Sequence, residues 1–351
     1  MNVKKAFVAT LALAALAAVA LVGGRADAAQ ERQTSTLVGT GATFPFPLIS
    51  KWIPEVGKAY GIDLTYSPTG SGAGIAAVTS RTVDFGASDA PLSADQLAAC
   101  KGCVVIPWAL AGVSLPYNLP GVNTRLKLDA AAIAGIFDRS ITRWNDPKIQ
   151  RLNSGVSLPS TTITPVYRSD SSGTTYAFTD YLSTVSPKWK SNVGTNTSVS
   201  WPGGIGARGS SGVTGVVKST PGAITYVDAA YSIQNKLSFA LVRNRHGNYT
   251  LPGLRGITAA VSVLPKKITS FNQLKIVDPP KTAPKNAYPI STFTYVIVPT
   301  DSGSQAADLR KFVYWAVTQG QKFGPPLFFV PLPDQVKAYD YREIKKIQGG
   351  R

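Results

Sequence analysis

Three short stretches combine glycine with hydroxyl side chains where a strand-like run gives way to a helix-like one. They are GTGATFP (residues 39–45), PTGSGAG (68–74) and RSDSSGTTYAF (168–178). Turns of this composition expose backbone N–H groups at a helix N-terminus, where those groups and the helix dipole favour an anion. Glycine allows close backbone approach, and a Ser or Thr adds a hydroxyl donor. A serine in such a place is commonly only an N-cap. Three such turns in one chain, with Arg168 four residues before Ser172, point to anion binding. A carboxylate runs against the pattern. TVDFGASDAPLS (82–93) sets Asp84 and Asp89 in a small-residue turn of a chain whose formal net charge is +17. Asp84 reads as a structural residue at a strand end, and Asp89 as a candidate for the site.

Other chemistries have less support. GTGATF lacks the third glycine of a dinucleotide fingerprint, and no G-x-x-x-x-G-K-[ST] occurs. There is no G-x-S-x-G elbow, and the single histidine, His246, lies in the polar, apparently exposed turn RNRHGN. A serine hydrolase would therefore lack its base. Cys100 and Cys103 form C-K-G-C, which ends a helical pattern (SADQLAA) and precedes a strand-like one (VVIPWAL). A redox C-x-x-C opens a helix instead, so the first reading is an intramolecular disulfide. Too few ligands accompany the cysteines for a metal site, and none is expected. Nucleic acid is a poor partner for this chain, because the cations are scattered and no binding module appears.

The turns need elements to hold them. Pro47 to Tyr60 repeats apolar residues at helical spacing, tolerating Pro54, while DLTYS and VDFGAS read as strands and Ser71 to Thr79 and Ser93 to Ala99 as helices. VVIPWALAGVSLPYNLPG is two adjacent strands leading into a second lobe. That lobe holds a helix from Leu126 to Phe137, the strand TITPVYR, a helix from Gly173 to Thr184, the turn and helix GSSGVTGVVKS, the strand AITYV and the helix DAAYSIQ. Residues 264–289, rich in proline and lysine, break the rhythm before a strand FTYVIVP and helices near 304–318 and 334–347. This tail is too short to form a domain and is expected to return to the first lobe. The reading is an α/β protein of two lobes, 30–110 plus 288–351 and 111–287, with a ligand in the cleft between them.

Lys4 and Lys5, an uncharged, largely apolar run from Ala6 to Val22 and an A-x-A site at Ala26–Ala28 read as a signal peptide, residues 1–29, cleaved near Ala28 or Ala29. No cysteine follows the run before Cys100, which excludes a lipoprotein anchor. A soluble periplasmic or extracellular protein is expected. Losing residues 1–29 removes three cations and one anion and leaves a charge of +15, which attracts anions generally.

GTGATFPFPLISKW, TVDFGASDAPLS, RSDSSGTTYAFTDYL, ITRWNDPKI, SVSWPGG, AITYVDAAY and YPISTFTYVIV together resemble the substrate-binding protein of the bacterial high-affinity phosphate ABC transporter. The resemblance implies a type II periplasmic-binding-protein fold, two α/β lobes joined by a hinge, with a dehydrated hydrogen phosphate in the cleft. It implies no enzyme activity and no cofactor, a monomer, and the transporter's membrane permease as partner. Carried over by motif, the phosphate contacts would be Thr43, Phe44, Ser71, Asp89, Arg168, Ser172, Gly173 and Thr174, with Asp170 holding the Arg168 guanidinium. Two departures stand out: SGAG follows Gly70 where the family commonly shows Ser-Ser-Gly-Gly, and the C-K-G-C pair is not general. Within the resemblance, Asp89 is expected to accept the anion's own proton and so exclude sulfate or molybdate. A binder of another oxyanion, arsenate included, is the alternative reading, with an exported phosphatase using Ser71 or Ser172 behind it.

Overall fold

The structure, a computed structural model, describes residues 35–350; the expected signal peptide lies outside them. The chain opens with β1 (Ser35–Gly41), α1 (Phe46–Tyr60), β2 (Ile62–Ser67), α2 (Ser71–Thr79), β3 (Phe85–Ser88), α3 (Ala94–Ala99) and the long β4 (Cys103–Ser114). After it come β5 (Pro116–Tyr117), β6 (Lys127–Leu128), α4 (Ala130–Phe137), α5 (Pro147–Leu152), β7 (Thr164–Arg168), α6 (Gly173–Val185), α7 (Pro187–Asn192), β8 (Ile205–Ala207) and α8 (Gly209–Ser219). The remainder is β9 (Ala223–Ile224), β10 (Val227–Asp228), α9 (Ala229–Gln234), β11 (Ser238–Phe239), β12 (Leu241–Arg243), β13 (Tyr249–Thr250), α10 (Leu254–Val261), β14 (Ser291–Pro299), α11 (Ala306–Val317) and α12 (Asp334–Ile344).

Two mixed sheets organise these elements. The first has the order β10-β4-β14-β3-β1-β2 and the second β11-β5-β9-β7-β8, with a three-stranded β13-β12-β6 beside them. β1 is parallel to β2 and β3, whereas β14 is antiparallel to β3 and β4, so the tail strand returns to the first sheet as expected. α1 buries Leu48, Ile49, Trp52 and Val56, the helical stripe read from the sequence, and stops at Gly61, whose φ of 68° a glycine adopts without strain. Trp52 packs edge-on to Trp108 of β4 at 5.4 Å, and Phe312 of α11 lies 5.3 Å from Phe85 of β3, which ties the tail into the same core. The second sheet has its own aromatic stack, with Tyr226 at 4.6 Å from Phe178 and 5.5 Å from Trp201. Aromatic pairs of this kind add about 0.5–1.5 kcal/mol each beyond area burial.

The structure corrects the sequence reading in two places. AITYV is not one strand. Ala223–Ile224 belongs to the second sheet and Val227–Asp228 to the first, because Thr225 and Tyr226 carry the chain across. Thr225 is held by its N–H on Pro116 O at 3.0 Å and its hydroxyl on Val166 O at 2.7 Å. The other crossing, from β4 through Leu115 to β5, lies alongside, as Ser114 Oγ donates to Val227 O at 2.8 Å. The helix expected from Leu126 begins only at Ala130. Asp129 caps it by accepting from Ala132 N at 2.8 Å, and Lys127–Leu128 pairs as a strand with β12. C-K-G-C closes the α3-to-β4 turn with Cys100 and Cys103 joined in a disulfide.

Candidate functional site

The site is assembled where β1, β2, β3 and β7 end, at the starts of α1, α2, α6 and α8. Gly41 leaves β1 at φ 140°, and Thr43 and Phe44 follow, both buried. The Thr43 hydroxyl reaches the other sheet's helix α8, lying 2.7 Å from Ser210 Oγ and accepting from Ser210 N at 3.2 Å. Tyr231 OH donates to Thr43 O at 3.2 Å. Among the described residues, the amides of Thr43, Phe44, Ser71 and Thr174 donate to no protein acceptor. Four N–H groups are thus available in a buried place, where an unpaired donor costs about 1–3 kcal/mol.

Ser71 opens α2 and is buried. Its Oγ accepts from Gly173 N at 2.9 Å and Asp89 N at 3.3 Å, linking α2, the end of β3 and the start of α6. Gly173 is required there: a Cβ on it would lie 2.5 Å from Asp89 N and 2.6 Å from Ser71 Oγ. Gly72 is pressed against the Ser171 side chain in the same seam, which accounts for a glycine where the related motif has serine. Ser172 is the N-cap of α6, its Oγ accepting from Thr175 N at 3.2 Å.

Arg168, at the end of β7, is 4% exposed. Asp170 holds its guanidinium by a bidentate pair, Nε to Oδ1 at 2.7 Å and Nη2 to Oδ2 at 2.5 Å. Asp170 Oδ1 also accepts from Gly209 N at 3.0 Å, so the same carboxylate anchors the start of α8. Burial pushes the Asp170 carboxyl up, but its bond to Arg168, the guanidinium charge and the Gly209 amide outweigh that and hold it below the usual range.

Asp89 differs in kind. It is 2% exposed; Oδ2 accepts from Thr174 Oγ1 at 3.3 Å, and Oδ1 has no partner among the described residues. Burial pushes its carboxyl up to about 7, against the pull of the Thr294 hydroxyl, the Arg168 charge and the Thr174 hydroxyl, with Asp170 adding to the rise. Buried carboxyl oxygens are ordinarily hydrogen-bonded, so the bare Asp89 Oδ1 is an exception.

Of the nine residues expected from sequence, hydrogen bonds join Ser71, Asp89, Gly173 and Thr174 in one group and Arg168 with Asp170 in another; Thr43 and Arg168 both reach Ser210, and Phe44 and Ser172 adjoin Thr43 and Gly173 in the chain. Asp84 joins neither group: Oδ2 accepts from Val38 N at 2.7 Å, tying β3 to β1. His246 is half-buried, not exposed, with Nε2 2.9 Å from Ala283 O in the β12–β13 turn. The sequence reading missed Gly209 and Ser210, although ARGSSG (207–212) has the glycine-hydroxyl composition of the other three turns. It also missed Tyr231 and the buried Asp228, whose Oδ2 has no partner among the described residues and whose carboxyl is held well above its usual range, chiefly by burial.

Two mixed sheets with a buried, donor-rich seam of strand-to-helix turns between them define a class, and the chain belongs to the PBP superfamily, whose domain model matches residues 26–319. The phosphate-binding protein PstS of Xylella fastidiosa (strain Temecula1) is 37% identical over 324 residues, covering 90% of this chain and 88% of that one. That of Pasteurella multocida is 34% identical over 322 residues, covering 90% of each. A high-affinity periplasmic phosphate-binding protein solved with bound phosphate superposes with a TM-score of 0.70 at 25% identity, over 86% of this chain and 92% of that one. Within the superfamily the chain is a member of the phosphate-binding protein PstS family.

Proposed function

We propose that this protein binds inorganic phosphate, as hydrogen phosphate, in the seam between its two sheets and delivers it to the membrane permease of an ABC importer. The single observation that carries the reading is Asp89, buried with one bare carboxyl oxygen among unpaired amides. The phosphate contacts are the amides of Thr43, Phe44 and Thr174, the hydroxyls of Thr43, Ser71, Ser172 and Thr174, the Gly173 turn, Arg168 and Asp89. Asp170 offsets the charge of Arg168, so the turn amides and helix termini disperse the dianion's charge. A carboxylate is an acceptor only, whereas hydrogen phosphate brings a proton to share with it; the contact becomes a short charge-assisted bond.

The two lobes, one around each sheet, close about a hinge at the paired crossings, Leu115 and Thr225–Tyr226, which lie a few residues beyond the 110/111 bound expected from sequence and well before the 287/288 one. The protein is a monomeric binder, not a phosphatase: Ser71 Oγ accepts two amides and Ser172 Oγ caps α6, and among the described residues neither hydroxyl is hydrogen-bonded to a basic side chain that could activate it. It works outside the cytoplasm after loss of residues 1–29. Titration of ligand-free protein with phosphate, arsenate and sulfate tests the reading. Phosphate and arsenate, both protonated near neutral pH, should bind, and failure of phosphate to bind would overturn it.

A further inference from the structure

The inner site offers an approaching anion little net charge, because Arg168 is matched by Asp170. Long-range attraction has to come from elsewhere. A cavity of about 590 Å3 opens beside Thr43, between the start of α1 and the turn into α8. Lys51, on α1, and Arg208, immediately before α8, are its only charged lining residues, and no carboxylate lines it. Both are exposed, and neither belongs to an ion pair among the described residues. Ser50, Thr69 and Ser211 add hydroxyls to the lining, and the volume accommodates an oxyanion that keeps its water. Thr43 belongs both to this cavity and to the buried seam, where it lies against Ser210. Thr43 is therefore shared by the cavity lining and the inner site.

We infer that Lys51 and Arg208 form an outer capture site, one cation from each side of the cleft, at which hydrated hydrogen phosphate is held before it passes Thr43 and sheds its water. The inference rests on the phosphate reading above. Capture of this kind raises the association rate and leaves dissociation from the inner site almost unchanged.

The test measures association and dissociation of radiolabelled phosphate by rapid filtration in wild type, in the double variant Lys51→Gln/Arg208→Gln and in a control, Lys266→Gln/Lys267→Gln. The control removes the same two charges from exposed positions outside the cavity. At ~0.01 M ionic strength, where screening extends over about 30 Å, the mouth variant should associate at least about threefold more slowly, with dissociation within about twofold of wild type. At ~1 M, where screening falls to about 3 Å, the difference should vanish. The control should stay within about 1.5-fold of wild type throughout. Equal slowing by both variants would assign the effect to the whole molecule's charge and overturn the capture site, as would an unchanged rate at low salt. Wild-type protein that takes up no phosphate refutes the function reading and the capture site together, whereas binding with rates indifferent to Lys51 and Arg208 refutes the capture site alone.

Discussion

Raising the pH should tighten the exclusion of sulfate, and Asp89 sets the scale. Its carboxyl is pushed up to about 7, chiefly by burial. Sulfate carries no proton near neutral pH, so it meets Asp89 either ionised or protonated by solvent. Against the ionised form, even one unit charge at ~4 Å repels by about 4 kcal/mol at an effective dielectric near 20. Protonating Asp89 costs ~1.4 kcal/mol per pH unit above 7, or about 2 kcal/mol at pH 8.5, and is the easier route there. Asp89 gains its proton as the pH falls, so sulfate affinity should rise by roughly thirtyfold between pH 8.5 and 6. Hydrogen phosphate supplies the shared proton itself, and its affinity should change much less. In Asp89→Asn the carboxamide donates an N–H at any pH. Sulfate binding should then lose its pH dependence, and the preference for phosphate should shrink by at least about tenfold. Competition calorimetry at both pH values checks this. A wild-type sulfate affinity equal at the two pH values, or an Asn variant that keeps the dependence, would refute the reasoning.

Arg168→Ala should weaken phosphate by at least about tenfold in calorimetry, since it removes a charge-assisted donor and leaves the half-buried Asp170 without its cationic partner. Gly173→Ala should abolish tight binding while the protein stays folded by circular dichroism, because its Cβ would collide with Asp89 N and Ser71 Oγ. Ser172→Ala should lower unfolding stability by about 1 kcal/mol in denaturant titration through loss of the α6 cap. Neither that variant nor wild type should hydrolyse an aryl phosphate. Asp89, Asp228 and Asp340 all have carboxyls raised by burial. The folded state therefore binds more protons than the unfolded one above the ordinary aspartate value of 3.8, and stability is lost as the pH rises towards the folded values. The thermal midpoint of ligand-free protein should rise as the pH is lowered from about 7 to 5, and Asp89→Asn should flatten the slope.

What could be read from the sequence follows the range of the forces involved. α1 was legible because one stripe, Leu48, Ile49, Trp52 and Val56, faces one core at a 3.6-residue period. The α6 start was legible because Ser172 caps its own neighbour, Thr175, three residues on. The split of AITYV was not, since all five residues suit a strand and only distant partners, Pro116 and Val166, turn Thr225 between the sheets. The three glycine-hydroxyl turns could be seen as a set, but their convergence depends on contacts such as Ser71 to Gly173, 102 residues apart. Ser210 went unread although its turn has the same composition, for its role exists only through Thr43, 167 residues earlier. The raised Asp89 carboxyl is likewise a property of burial between elements and has no local signature.

This seam is expected to bind hydrogen phosphate and to select it by its proton. Calorimetric titration of ligand-free wild-type protein with phosphate and sulfate in parallel, at about pH 8.5, tests it most directly. One phosphate per chain at micromolar affinity or tighter, about 8 kcal/mol or more, with sulfate at least about thirtyfold weaker, is the predicted result. Absence of phosphate binding, or sulfate bound as tightly as phosphate, would contradict it.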